Sequence, residues 1–224
     1  MTTNLRQGAM AAIAVLFLAL AGCVARPVWR GDEGRAYDIL NRSTIALLEI
    51  DRDALAGPLG SSMRHACAIF VFPGSIKGMP ASGATRGDGV LLVRDRATGR
   101  WSGPAFYALR GQDAAAGEHA QGRRLMIAVG CDALHRLYAG STVAAGSPAT
   151  IRLDDATFAD MAAWPLSMRR AEPVPLVAMA LWPLPGVALA YYQAPASLAA
   201  ITLDRSVSND ASAEIQAAIA SVAD

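Results

Sequence analysis

The sequence predicts an α+β protein: a mainly antiparallel β domain, barrel- or sandwich-like, with an N-terminal helical region and a C-terminal helix. Two observations predict this class. Many short apolar segments separated by turn residues fill the middle of the chain, and helical periodicity is found towards both of its ends. With 53% hydrophobic residues among 224, the chain has enough apolar surface for one sizeable core.

Helical spacing of apolar residues marks the two ends of the predicted domain. The first helix face comprises Tyr37, Leu40, Leu47 and Leu48. This helix should end before Gly57-Pro58, and Pro58 suits the start of a second short helix because a missing N–H costs nothing there. The last helix face comprises Ala211, Ile215, Ala218, Ile219 and Val222, with Asn209 or Asp210 as its cap.

Between these helices the pattern indicates strands. We predict them over 66–72, 89–94, 100–109, 125–129, 141–145, 150–153, 175–181, 187–192 and 198–203. Residues 95–99 (Asp-Arg-Ala-Thr-Gly) have the composition of a hairpin turn. Two helices interrupt this region, one over 132–137 and one over 154–163 that Pro165 ends.

The N-terminus carries an apolar run from about Ala9 that closes with Leu20-Ala21-Gly22-Cys23. Small residues after an apolar segment end a secretory signal peptide, and a cysteine directly after them resembles the lipobox of bacterial lipoproteins. The alternatives are an ordinary secretory leader and an uncleaved membrane anchor, although the run is shorter than the ~20 residues that span a bilayer. The predicted organisation is a leader over 1–22, a lipidated tether over 23–33 and one domain over 34–224.

Lipid on Cys23 would place the exported protein on the cell envelope. Residue 24 is Val. In the lipoproteins that this leader resembles, an Asp at this position marks retention in the inner membrane, and the chain has Val there instead. We expect outer-membrane anchoring with the domain facing the periplasm.

The charge balance argues against a nucleic-acid partner. The chain has 20 basic and 19 acidic side chains, and removing the leader with Arg6 makes the two numbers equal. An anionic partner would therefore have to bind to a local basic patch, because the protein as a whole carries no excess positive charge. The sequence also has no nucleophile elbow, zincin motif, P-loop or Rossmann fingerprint, so we assign no catalytic residue, metal or cofactor and expect a protein that is not an enzyme.

Two cysteines other than Cys23 leave three alternatives open. Cys67 and Cys131 can pair in an oxidising envelope, or can form a four-ligand metal site with His65 and His135. The spacing differs from that of zinc ribbons and fingers. Cysteine also packs well as a small hydrophobe, which favours two buried free thiols.

A cluster of glycines next to basic residues is the strongest candidate binding segment. The glycines are Gly74, Gly78, Gly83, Gly87 and Gly89. They lie beside Lys77, the only lysine in the chain, and beside Arg86. Glycine lets backbone N–H groups approach a phosphate closely, which favours a phosphate-binding loop. The alternative is a purely structural role, in which these glycines form tight turns and bulges between strands.

The same segment resembles the SYLF-domain family. The four blocks that carry the resemblance are 66–73 (ACAIFVFP), 77–78 (KG), 87–94 (GDGVLLVR) and 99–106 (GRWSGPAF). A looser correspondence extends over about 35–205. The chain departs from the family pattern at Met79-Pro80, across 113–119, and at Arg124, where the family has an acidic residue.

The resemblance implies lipid binding. Of the partners that the family binds, anionic phospholipid is the one that is also expected for an envelope protein. Actin, which some eukaryotic members bind, is an unsuitable partner outside the cytoplasm. The predicted headgroup residues are Lys77, Gly78, Arg86, Arg110, Arg123 and Arg124. An alternative function is a structural or assembly lipoprotein that binds another envelope protein through exposed aromatics such as Trp29, Trp101 or Trp164, although core packing is favoured for Trp101. An envelope hydrolase is the least favoured alternative.

Overall fold

The computed structural model describes residues 31–74, 77–78, 85–111, 124–141, 151–152, 160–166, 173 and 179–223. The helices are α1 (Gly31–Leu48), α2 (Arg52–Leu55), α3 (Pro58–His65), α4 (Cys131–Ser141), α5 (Pro185–Tyr192), α6 (Leu198–Thr202) and α7 (Ala213–Ala223), with a short 3-10 helix over Asp210–Ser212 before α7. The strands are β1 (Ala68–Phe72), β2 (Lys77–Gly78), β3 (Thr85–Val93), β4 (Ala105–Gly111), β5 (Leu125–Val129), β6 (Ile151–Arg152), β7 (Met161–Pro165) and β8 (Met179–Pro183).

All eight strands belong to one antiparallel sheet that curls into a half-barrel. Its order is β6-β8-β4-β3-β1-β5-β7, and the short β2 pairs with the first residues of β3. The α+β class is therefore confirmed, and the curvature corresponds to the barrel-like alternative. The strands β1 and β5 are buried along their whole length, so both faces of the sheet are covered there.

Aromatic rings connect the helices to the sheet. Helix α1 packs against α5, α7 and β3. The Tyr191 ring of α5 lies 5.2 Å from that of Phe106 on β4 and 5.6 Å from that of Tyr37 on α1. Burial raises the pKa of Tyr191 to about 12, so its phenol stays neutral at ordinary pH and forms a hydrogen bond with Ser212. The N-terminal and C-terminal helices thus share one core with the strands.

Several predicted elements are confirmed. Helix α3 begins at Pro58, β5 has the predicted bounds, and Asn209 caps the 3-10 helix by accepting a hydrogen bond from Ala211 N. The turn between β3 and β4 is closed by Asp95, whose side chain accepts from Ala97 N, and Gly99 adopts a φ of +72° there. Hairpin composition therefore predicted this connection correctly.

The strands predicted over 187–192 and 198–203 are wrong, because both segments are helical. Each is a short apolar run, in which periodicity cannot separate a buried helix from a buried strand. The distinguishing signals lie just before the runs: Pro185 at the first position of α5, and Ser197, whose side chain caps α6 by accepting from Ala200 N.

Other boundaries also differ from the prediction. The helix over 154–163 is wrong where it is described, because Met161–Pro165 is a strand paired with β5; Pro165 is tolerated because β7 is an edge strand. Ser141 ends α4, and the rest of the strand predicted over 141–145 lies outside the described residues. Helix α1 begins inside the predicted tether, at Gly31.

The apolar face predicted for α1 includes one residue, at the end of the helix, that is not buried. Leu40 and Leu47 are buried, whereas Leu48 is 63% exposed. The other buried residues of α1 include small and polar ones, which an apolar pattern does not reveal: Ala36, Ile39, Ser43, Thr44 and Ala46. Among the described residues, no helix combines the length and apolar character needed to cross a membrane.

Cys67 and Cys131 form a disulfide with their Cα atoms 5.1 Å apart, a separation that suits such a bond. The expectation of two buried free thiols is therefore wrong. The metal alternative does not apply either, since both sulfurs are used in the disulfide. Sequence reasoning favoured thiols because it could not bring residue 131 next to residue 67, a contact made by the pairing of β1 with β5.

One glycine of the predicted binding segment has a packing role. A Cβ atom built on Gly89 would lie 2.3 Å from the carbonyl oxygen of Val71 and 2.5 Å from the Phe72 ring. Gly89 therefore has a structural role and not a phosphate-binding one, because β3 passes close to β1 at this position. Gly83 lies outside the described residues.

We expect Gly89→Ala to lower the free energy of unfolding by about 2–3 kcal/mol, because backbone and a core ring must move to admit the methyl group. Urea denaturation measures the change. Gly74→Ala is the matched control, since its Cβ would meet only the Arg42 side chain, at 3.7 Å. Equal stabilities of the two variants would contradict the close approach at Gly89.

Candidate functional site

The pairing of three strands places basic residues side by side at one end of the sheet. Arg86 of β3 lies directly opposite Arg110 of β4, and the backbone of Lys77 in β2 lies opposite Arg86 on its other side. Directly opposite residues on antiparallel strands have Cα atoms about 5 Å apart and side chains on the same face. Like charges at such positions repel, so they require a compensating group.

Asp88 is that compensating group. It lies two residues after Arg86 on the same strand and therefore faces the same side of the sheet. Arg35 of α1 donates to one of its carboxylate oxygens from Nε at 3.0 Å and from a terminal nitrogen at 2.7 Å. Arg86 Nε donates to the other oxygen at 3.3 Å. The Asp88 side chain is 25% exposed, so the ion pairs are only partly screened by water.

Arg110 completes the group by stacking on an indole ring. Its guanidinium lies 4.3 Å from the centre of the Trp182 ring, and Trp182 is on the neighbouring strand β8. The Arg110 Nε atom is shielded from solvent and has no hydrogen-bond partner among the described residues. Trp182 therefore packs against one face of the cation, and the buried Nε–H of Arg110 lacks a partner among the described side chains.

We name Arg35, Arg86, Asp88, Arg110 and Trp182 the basic cluster. Arg35 and Arg86 form ion pairs with the Asp88 carboxylate, whereas Arg110 interacts with it only electrostatically. The three arginines and one aspartate of the cluster together carry two excess positive charges. Burial lowers the pKa of Arg110 from its ordinary value, Arg86 and Arg35 act in the same direction, and Asp88 opposes them. Arginine remains charged at neutral pH, so the cluster attracts an additional anion.

The residues that lie opposite one another on adjacent strands form a row across the sheet, and this row extends beyond Arg86 and Arg110. Arg110 lies opposite Ala180 of β8, and the backbone of Arg152 in β6 lies opposite Ala180 on its far side. The row thus holds basic residues at four of five adjacent strand positions. A row of this kind is suited to an extended anionic surface rather than to a single ion.

The structure separates Arg124 from the basic cluster. Arg124 NH1 lies 2.8 Å from a carboxylate oxygen of Glu49, just after α1, so its charge is already paired. Arg123 lies outside the described residues, and Gly78 is described only as the second residue of β2. Of the predicted headgroup residues, Arg86 and Arg110 are therefore the two whose side chains are brought together.

Sequence reasoning missed three members of the cluster. The sequence indicated no binding role for Arg35, Asp88 or Trp182. The pair Arg35–Asp88 is 53 positions apart in the chain, and no local signal joins them. A buried-looking strand that contains both Arg86 and Asp88 was the available clue, because charges on such a strand require partners.

The exposed aromatic patch proposed for protein binding is not formed by the described tryptophans. Trp101 and Trp164 are each only 4% exposed and belong to the core, as favoured for Trp101. Trp29 lies outside the described residues. No group of His, Cys, Asp or Glu side chains within the described ranges is arranged to hold a metal ion.

Comparisons with known proteins return no relatives for this chain. Its sequence matches no protein-family model and no curated protein, and its structure matches no solved structure.

We expect Asp88→Asn to have two opposite effects. Loss of the shared carboxylate should lower the free energy of unfolding by about 1–2 kcal/mol, because three arginines then repel one another. It should also increase the stabilisation that added inorganic phosphate gives, because the cluster gains a positive charge. Urea denaturation with and without phosphate measures both.

Asp38→Asn is the control for this prediction. Asp38 forms an exposed pair with Arg42 on α1, and such surface pairs contribute less than about 1 kcal/mol. A phosphate response that falls in Asp88→Asn, or that changes equally in Asp38→Asn, would argue against anion binding at the cluster.

Proposed function

We propose that this protein is an exported lipoprotein, acylated on Cys23, whose domain binds anionic phospholipid headgroups through the basic cluster. The observation that carries the proposal is the arrangement of Arg35, Arg86 and Arg110 around the single carboxylate of Asp88. Two excess positive charges at one end of the central strands favour a phosphate group. The proposed role is binding, without a catalytic step.

The chemistry of the cluster suits a lipid headgroup better than a free ion. The Arg110 guanidinium stacks on Trp182, so an aromatic ring lies beside the cations. Indole rings favour the interface between headgroups and acyl chains. Cations next to an aromatic ring thus provide both an electrostatic and an interfacial contribution to membrane binding.

The resemblance to SYLF domains supports the same function. The resembling blocks include Lys77–Gly78 of β2 and Gly87–Val93 of β3, and these are the strands whose pairing aligns Lys77 with Arg86. The block at 99–106 leads into β4, the strand that carries Arg110. The residues on which the resemblance depends therefore surround the basic cluster.

The lipid anchor and the basic cluster would have different roles. Two or more acyl chains on Cys23 suffice for stable attachment, since each buried methylene contributes ~0.8 kcal/mol. Headgroup binding by the domain is then not required for anchoring. We propose that it recognises or organises lipid of the same or of a facing membrane, with the outer membrane as the site of anchoring.

The chain from residue 24, which lacks leader and lipid, should bind vesicles that contain phosphatidylglycerol and not vesicles of phosphatidylcholine alone. Arg86→Gln with Arg110→Gln should weaken binding about tenfold, at ~1 kcal/mol for each cation near an anionic surface. Vesicle flotation over a range of salt concentrations measures this, and binding should fall as salt rises.

The matched control is Arg52→Gln with Arg136→Gln, which removes the same charge from two exposed positions outside the cluster. Arg124→Gln should bind almost as the unchanged chain does, because Glu49 already neutralises Arg124. Equal binding to neutral vesicles, or equal losses in the two double variants, would refute headgroup recognition by the cluster.

Cys23→Ser in the full chain should abolish acylation and release the protein from the membrane fraction. The reason is that the lipid is joined through a single bond to the sulfur of this residue, where it replaces the thiol hydrogen, and serine has no thiol. Labelling of cells with an alkyne fatty acid, followed by fractionation, measures both effects. Cys67→Ser is the control that keeps Cys23, and labelling that persists in Cys23→Ser would disprove the lipid anchor.

A further inference from the structure

The Cys67–Cys131 disulfide forms part of the wall of a pocket of about 440 Å³. It joins the residue just before β1 to the first residue of α4. Cys67 is buried, at 4% exposure, whereas Cys131 is exposed. An external thiol can therefore reach one of the two cysteines much more readily than the other, and the pocket has the size of small-molecule sites.

An arginine contacts the buried sulfur. Arg96 Nε donates to Cys67 Sγ at 3.3 Å, and the same guanidinium donates from a terminal nitrogen to the carbonyl oxygen of His65 at 2.7 Å. The second contact holds the cation in place beside the sulfur. A fixed guanidinium stabilises negative charge that develops on Cys67 Sγ when the disulfide opens.

The pocket as a whole is basic. Arg94 and Arg205 line it together with Arg96, and Asp95 is the only acidic residue of its lining. Asp95 already lies 3.7 Å from Arg205. The nearby carboxylate of Asp160 is used at the start of α4, where it accepts a hydrogen bond from Ala133 N. The residues that line the pocket thus carry more positive than negative charge, and the nearest carboxylate outside this lining on α4 is that of Asp132, which follows Cys131.

We propose that Cys67–Cys131 is a thiol–disulfide exchange site that accepts a small thiol bearing carboxylate groups. The thiolate of the incoming molecule attacks Sγ of the exposed Cys131 and forms a new sulfur–sulfur bond with it. The Cys67–Cys131 bond breaks, and its electron pair goes to Cys67 Sγ, which leaves as a thiolate beside Arg96. One disulfide is exchanged for another, so no further oxidant or reductant takes part.

The exchange has a structural consequence for α4. The disulfide is a covalent cross-link between this helix and the residue before β1, in addition to the backbone connection from β5 through Gly130. Helix α4 also packs against α6, where Tyr138 and Thr202 share a hydrogen bond of 2.7 Å. A mixed disulfide on Cys131 removes the cross-link while Cys67 stays in the core. The site uses none of the basic cluster residues and does not depend on lipid binding.

The test uses the full chain with Cys23→Ser, so that only the disulfide can react, and glutathione as the acidic thiol. Intact mass and peptide mapping should show one glutathione attached at Cys131. The cationic thiol cysteamine, compared at equal thiolate concentration, should react about tenfold more slowly at low salt, and the difference should shrink as salt rises.

Arg96→Gln should slow the reaction with both thiols by about tenfold, because the leaving thiolate loses its cation. Arg52→Gln is the matched control, since Arg52 is exposed and does not line the pocket. Circular dichroism verifies that the variant is folded, and Arg96→Lys, which retains the charge, should recover part of the rate.

The comparison of glutathione with cysteamine on unaltered Arg96 tests the proposal even if Arg96→Gln fails to fold. Attachment at Cys67, equal rates for the two thiols, or a rate equal to that of global unfolding would overturn the proposal. Selective reaction at Cys131 that favours glutathione and weakens with salt would support it.

Discussion

The antiparallel register of β3 and β4 is the constraint on which the candidate site depends. It places Arg86 directly opposite Arg110, and no side-chain rotation can move two such residues to different faces of the sheet. The resulting repulsion is offset by Asp88 on the same face, and Asp88 in turn binds Arg35 of α1. One register therefore determines how the first helix is held against the sheet and where excess positive charge accumulates.

The surrounding packing keeps this register in place. Gly89 allows β3 to pass close to the backbone of β1, and residues 90–93 pair with that strand. On the other side, β8 pairs with β4 and supplies Trp182, on which Arg110 stacks. Helix α5 packs on α1 through the rings of Tyr191 and Tyr37, and α7 also packs against α1. The cationic groups are thus fixed by strands and helices rather than by a loop, which favours a preorganised anion site.

Local sequence signals predicted the parts of the fold that local forces decide. Pro58, the Asp95–Gly99 turn and the Asn209 cap all act through neighbouring backbone groups, and each prediction based on them is confirmed. Residues 187–192 and 198–203 were assigned to strands because apolar composition alone does not distinguish the two kinds of buried segment. In the site, Arg86 and Arg110 were found from composition and resemblance. Arg35, Asp88 and Trp182 were not, because their contacts join distant parts of the chain.

The central claim is that anionic headgroups bind at Arg86 and Arg110, and side-chain NMR of the arginine Nε–H groups tests it most directly. A titration of the chain from residue 24 with short-chain phosphatidylglycerol would follow each guanidinium separately. The account predicts that the Nε–H signals of Arg110 and Arg86 shift with increasing lipid, whereas those of Arg52 and Arg136 remain unchanged. Shifts confined to arginines outside the basic cluster, or the same response to short-chain phosphatidylcholine, would contradict it.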